Sequence, residues 1–190
     1  AGMLANNENN GAGYTDDYFP NNYAYIRKAW LVYENIDKVA DMSDRDKAIV
    51  KAEMQVLVAF RYVEMLKRYG GVPLVESTLT TVDVRPRSTV QQTLDFIVGL
   101  CDAAAATLEG VRWPADWLGR VNKGVALAVK AEALMYAARP LFNADAPYMQ
   151  MADPANNEMI WLGGYDAKRW ETARLANQEV IDWGKANGFE

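Results

Sequence analysis

Apolar residues recur along most of this chain at steps of three and four, the spacing of one face of an α-helix. Tyr23, Ile26, Trp30 and Tyr33 mark a first helix beginning after Pro20. Ala48, Ala52, Val56, Ala59, Val63 and Leu66 mark a second from about Asp44 to Tyr69, its stripe widened by Phe60 and Tyr62. Gly70 suits a left-handed cap and Pro73 forbids continuation, so a short extended segment, Val72-Pro73-Leu74-Val75, is predicted next. A third helix carries Val90, Leu94, Ile97, Cys101, Ala104 and Leu108, and Ser88 with Gln91 reads as its capping box. The fourth, Val121 to Phe142, has few charges and is rich in alanine, which predicts a central helix. A fifth begins after Asp166 with a stripe of Trp170, Ala173, Val180 and Ile181.

Between these elements lie segments without helical periodicity. Residues 1–20 are rich in Asn and Gly and are expected to be irregular, clamped to the helical body of 21–190 by Tyr14, Tyr18 and Phe19. Residues 76–88 form a loop, VRWPADWLG follows the third helix, and 143–165 make a long loop. The pattern predicts an all-α single domain: a bundle of antiparallel helical pairs with long loops and one short extended segment. Trp170-x-x-Ala173 and Ala131-x-x-x-Met135-x-x-Ala138 resemble the two helices of a degenerate tetratricopeptide repeat.

Composition narrows the chemistry. With 190 residues, 51% of them hydrophobic, the chain is long enough for a real core. A net charge of −5 with scattered Lys and Arg gives no phosphate-binding footprint, so no nucleic acid partner is expected. There is no His, the commonest general base and metal ligand. The one cysteine, Cys101, sits among Leu100, Ala103 and Ala104 and reads as a buried, inert thiol. Asp116, Asp145, Asp153 and Glu158 lie in loops without the spacing of a catalytic pair, so no enzyme activity is assigned. Asp153, Asn156, Asn157 and Glu158 offer oxygen ligands but not the spacing of a calcium loop, and neither a metal site nor a cofactor is assigned.

The aromatics offer more. Trp30 and Trp170 fall on helical stripes and are expected in the core, whereas Trp113, Trp117 and Trp161 fall in loops. An indole face stacks on the apolar C–H face of a pyranose while neighbouring polar groups take its hydroxyls. Trp113, Asp116, Trp117 and Trp161 are therefore the candidate ligand-binding residues. The commoner fate of such rings is to fold back and seal the ends of a bundle.

The stretch Glu53–Val75 resembles the signature of the SusD/RagB family of outer-membrane glycan-binding lipoproteins. That signature runs Glu, then Leu-x-Ala-aromatic, then Tyr, then basic-Tyr-Gly-x-Val-Pro-Leu. Here it is met by Glu53, Leu57, Ala59, Phe60, Tyr62, Arg68, Tyr69, Gly70, Val72, Pro73 and Leu74. Val58 stands where the family often has Arg, and Trp30 where it often has Asn. Gly119-Arg120 before an Ala-rich helix ending in Leu141-Phe142-Asn143 is similar to a second family pattern.

The resemblance implies a non-catalytic protein exposed at the outer-membrane surface. Such a protein captures oligosaccharides or polysaccharides and passes them to a SusC-like TonB-dependent transporter, and it touches the membrane only through a lipid anchor absent from this chain. It also implies that residues 1–190 are the N-terminal portion of a longer protein. A helical-repeat scaffold for protein partners, with no sugar ligand, is the alternative.

Overall fold

A computed structural model describes residues 18–79, 81 and 84–189. Tyr14, one of the expected N-terminal clamps, lies outside them. Among the described residues five α-helices dominate and there is no strand: α1 Tyr18–Asn35, α2 Asp44–Tyr69, α3 Val90–Thr107, α4 Lys123–Ala138 and α5 Lys168–Ala186. Short 3₁₀ turns stand at Ile36–Lys38, Ala115–Trp117 and Pro154–Met159. Each helix packs on the next in sequence, and α2 also packs on α4. This is the contact pattern of stacked helical pairs.

The helix boundaries follow local chemistry. α1 starts at Tyr18 rather than after Pro20, because a proline in the first turn forfeits only an N–H that has no intrahelical partner. At α2, the Ser43 hydroxyl accepts from Asp46 N–H at 3.1 Å, with Asp44 and Asp46 at the positive end of the helix dipole and Lys67 and Arg68 at the negative end. The capping box of α3 is Thr89 with Gln92, one residue beyond Ser88 and Gln91. Ser88 is engaged elsewhere: its N–H donates to Val72 O at 3.3 Å.

α2 and α4 share the centre of the bundle, each packed on three other helices. Val56, Val58, Ala59, Tyr62, Val63, Met65 and Leu66 are all buried, and α2 touches α1, α3 and α4. α4 is internal on one side, through Ala126, Leu127, Ala133 and Ala137, but Val125 and Ala128 are exposed and Leu134 is half-buried. Lys130 binds Asp102 of α3 and Glu179 of α5, each at 2.9 Å, pinning both neighbours to α4. Phe60, expected to widen the α2 stripe, is exposed instead, as is Leu57.

The segment after α2 makes no strand ladder, so side chains satisfy its backbone. Val75 N–H donates to the Tyr62 hydroxyl at 2.8 Å, Tyr23 donates to Pro73 O at 2.7 Å, and the Trp30 indole donates to Val75 O at 2.8 Å. Arg87 donates to Gly71 O at 2.8 Å and also to Tyr69 O. The two glycines do different work. Gly70 has φ +73°, and a Cβ there would lie 2.4 Å from Met159 O; at Gly71 a Cβ would lie 1.9 Å from Ser88 O. The 143–165 loop is docked on this turn through Gly71 N–H, which donates to Met159 O at 2.7 Å.

α5 lies along α4 and touches no other helix among those described. Only Ala173 and Ala176 are buried on it, with Val180 and Trp183 packed at the margin of the core. Trp170 was expected inside. It is 40% exposed, because the side of α5 that carries it and Ile181 has no helix against it among the described residues.

Candidate functional site

The loop from Leu108 to Asn122 is built around Arg120. Buried Leu108 anchors its start, Gly110 (φ +69°) and Gly119 (φ +102°) turn it, and the Asn122 side chain caps α4. Trp113 donates its indole N–H to Val121 O at 2.8 Å, and Trp117 N–H closes the short turn onto Pro114 O at 2.9 Å. The two indoles stack with ring centroids 6.0 Å apart and planes 23° apart. The Arg120 guanidinium lies over both, 3.8 Å from the Trp113 centroid and 4.6 Å from that of Trp117, a cation–π arrangement.

Arg120 is held there by the first residue of the α2 signature. Its Nε donates to one carboxylate oxygen of Glu53 at 2.9 Å and its NH2 to the other, a bidentate pair. Glu53 is only 7% exposed, so this pair satisfies a carboxylate set into the core. Those hydrogen bonds hold the guanidinium pKa above its ordinary value, against the opposing effect of partial burial. The chain therefore ties together Glu53 and Arg120, 67 residues apart, which belong to the two sequence patterns singled out above.

Trp113 and Arg120 form a ridge between two clefts. On one side a cleft of about 340 Å³ runs to the end of α5, lined among others by Leu118, Val125, Trp183 and Phe189. On the other, a cleft of about 400 Å³ opens against the start of α2, lined by Asp41, Met42, Asp46, Ile49, Val50 and the Trp113–Trp117–Arg120 group. Trp117 is 51% exposed here, and Asp116 beside it is exposed as well.

Trp161 is placed apart from these residues. Its indole donates to Ala144 O at 2.7 Å within the 143–165 loop. That loop docks at Gly70 and Gly71, about 25 Å of helix from Glu53. The loop is organised by Asn143, which is buried. Its amide donates to Ala138 O and Asp166 O, and its oxygen accepts from Asp166 N–H and from Arg169, both at 2.7 Å. Asp153 caps the Pro154–Met159 turn by accepting from Ala155 N–H at 3.0 Å, and Asn157 bonds Met151 N–H and Gln150. Sequence reasoning missed Asp41, Asp46 and Arg120 as neighbours of Trp117. The Gly119-Arg120 pattern was legible, but its partner on α2 was not.

Known proteins share this architecture. No curated protein sequence matches the chain. BT4246 is 30% identical and superposes with a TM-score of 0.77; the match covers 90% of this chain and 30% of that one. A SusD-like protein from Bacteroides fragilis, BF3747, is 32% identical with a TM-score of 0.60, over 65% of this chain and 24% of its own. A third structure, described as being with xylogluco-oligosaccharide, shares the fold at 22% identity and a TM-score of 0.64, over 86% of this chain and 28% of its own. The chain thus spans less than a third of the length of each. A family model described as "starch-binding associating with outer membrane" matches residues 2–138. With the Glu53–Arg120 pair, the buried Tyr62 and the Gly70-Gly71 turn all in place, the chain belongs to the SusD-like family.

Proposed function

We propose that this chain is the N-terminal, helical part of a longer surface-exposed protein that captures glycans without altering them and passes them to a TonB-dependent transporter. The observation that carries the reading is Trp117, a half-exposed indole braced from behind by Trp113 and Arg120 at the mouth of a cleft. A rigid aromatic face beside polar groups is what a pyranose ring requires. The relatives support the ligand class, since the family description names starch and a structure of the same fold is described with a xylogluco-oligosaccharide.

Capture without hydrolysis fits the cleft chemistry. A glycosidase needs one carboxyl kept protonated by its surroundings opposite a second. Asp41, Asp46 and Asp116 are exposed, and the buried Glu53 is committed to Arg120. The transporter half of the proposal is supported by a band of exposed apolar residues on α1 and α2: Tyr25, Val32, Leu57 and Phe60. Lys28 and Arg61 lie over the Tyr25 ring, 5.3 and 4.4 Å from its centroid. An apolar band with a cationic edge suits a protein surface better than a sugar.

The test is a panel of neutral and acidic oligosaccharides presented to the chain, with affinity read by calorimetry and the sugars recovered by chromatography. Binding with unchanged sugars supports the proposal. Turnover of any of them rejects capture without hydrolysis, and absence of binding across the panel leaves the helical-repeat scaffold as the better reading. Photocrosslinking from position 57 in cells expressing the cognate transporter tests the hand-off, which fails if no transporter adduct forms.

A further inference from the structure

We infer that the cleft between Trp117 and the start of α2 is the saccharide subsite of this chain, and that its charge restricts it to uncharged sugars. The inference rests on the glycan-capture reading above. Trp117 is fixed from one side: Trp113 stacks on it, Arg120 lies over it, and the turn Ala115–Trp117 closes through Pro114 O. A ring held in this way loses little freedom when a sugar stacks on its outer surface.

The polar groups follow from what lines the same cleft. Asp46 is held in place by the Ser43 hydroxyl, which donates to it at 2.6 Å, and Asp41 stands one turn before α2. Both are acceptors only when ionised and so take sugar hydroxyls as donors. Ile49 and Val50 give the apolar floor on which C–H groups rest. The volume, about 400 Å³, falls within the roughly 300–1,000 Å³ of small-ligand sites.

The charge balance sets the class of sugar. Arg120 is the cation of the cleft lining, and Glu53 already neutralises it through both carboxylate oxygens. Asp41 and Asp46 add two further carboxylates to the lining, Asp46 within electrostatic reach of the same Arg120, so acidic groups outnumber the one cation, and Asp116 is close by in sequence. A uronate or sulfate placed on Trp117 meets like charge on the α2 side and an occupied guanidinium on the other, so a neutral oligosaccharide is favoured. Glu53 acts here as a positioning residue, holding the guanidinium that backs the indole.

The probes are maltoheptaose, a xyloglucan heptasaccharide and tetragalacturonate, titrated into the wild-type chain and into Trp117→Ala, Trp161→Ala and Asp41→Asn/Asp46→Asn. At least one neutral probe is expected to bind more tightly than tetragalacturonate. Trp117→Ala should weaken it ~10–100-fold, in line with loss of one aromatic stacking partner, while Trp161→Ala changes it less than twofold. The double Asp variant should narrow the gap between neutral and acidic probes at least threefold. Circular dichroism and melting of each variant guard against loss of fold, and Trp117→Phe, which keeps a ring, should recover part of the affinity. If the neutral probes bind and Trp117→Ala binds them as well as wild type, the subsite is elsewhere although glycan capture stands. If tetragalacturonate binds best, the charge argument fails. If none of the three binds, both the subsite and the capture reading are overturned.

Discussion

Helices α2 and α5 are built on the same plan, long and amphipathic with small residues along the inner face, yet they sit in different surroundings. α2 touches α1, α3 and α4 and buries ten residues, Tyr62 and Met65 among them. Among the described helices α5 lies along α4 alone, and it buries two alanines. The difference is one of neighbours rather than of sequence pattern. A stripe becomes core only where something packs on it, so Trp170 and Ile181 stand on an open flank while Val63 and Leu66 are sealed. α2 also carries the chemistry, because Glu53 reaches Arg120 from it and its C-terminal glycines receive two other segments of chain.

The largest loss is expected at the end of α2. Gly71→Ala places a methyl group 1.9 Å from Ser88 O, where backbone and not a flexible side chain stands in the way. The chain must separate the α2 turn from the segment entering α3, and the expected cost is more than ~4 kcal/mol, in the range that marks a specific steric failure. Urea denaturation or loss of soluble expression reads it out. A variant within about 1 kcal/mol of wild type would mean that the two segments are not locked together.

α2 and α4 differ in how deeply their leucines are sealed. Leu66→Ala removes a fully buried side chain and should cost ~2–5 kcal/mol. Leu134→Ala, on the helix whose low charge predicts the centre, should cost about half as much, because Leu134 is only half-buried. Equal losses in chemical denaturation would show that Leu134 is sealed as deeply as Leu66.

What could be read from the sequence, and what could not, divides along the same line. The helices and the stripe of α3 follow from local periodicity and were legible, whereas the Ser43 cap of α2 was not singled out. The capping box of α3 was misplaced by one residue because Ser88-Thr89 and Gln91-Gln92 present two overlapping boxes; the choice is made by Val72 O, which engages the Ser88 N–H. Gly71 looked like an unconstrained signature position because its constraint is tertiary. The Glu53–Arg120 pair was invisible for the same reason. Trp113, Asp116 and Trp117 share a loop and so were grouped correctly in space, whereas Trp161 joined them only through residue type and lies near the other end of α2.

A smaller effect is expected from pH. Burial pushes the Cys101 thiol of α3 up to about 12, with Asp102 adding to the rise, from an ordinary 9.0. The folded chain then holds a proton that the unfolded chain loses, so this stabilising contribution is complete below pH 9 and is lost as pH rises through 12. By about pH 10.5 the loss attributable to the thiol should reach ~2 kcal/mol. Burial of Tyr23 and Tyr62 raises their pKa values too and adds to the alkaline loss above pH 10. Cys101→Ala should show a shallower fall in stability between pH 9 and 10.5 than wild type. Identical slopes would mean that the thiol is accessible, and rapid alkylation of the folded chain at neutral pH would confirm it.

The smallest expected effect tests the open flank of α5 directly. Ile181 is 49% exposed, and the same side of the helix carries Trp170. Ile181→Ser removes apolar area that is largely in water already, so chemical denaturation of this chain should change by no more than ~0.5 kcal/mol. The corresponding exchange at a sealed position such as Val63 leaves a buried hydroxyl in the α2 core and should cost several times more. The comparison becomes sharper when run at two protein concentrations. A penalty above about 1.5 kcal/mol for Ile181→Ser that grows with concentration would show that a second copy covers this flank in solution. A penalty of that size independent of concentration would show that the flank is closed within the chain, and α5 would then resemble α2 after all.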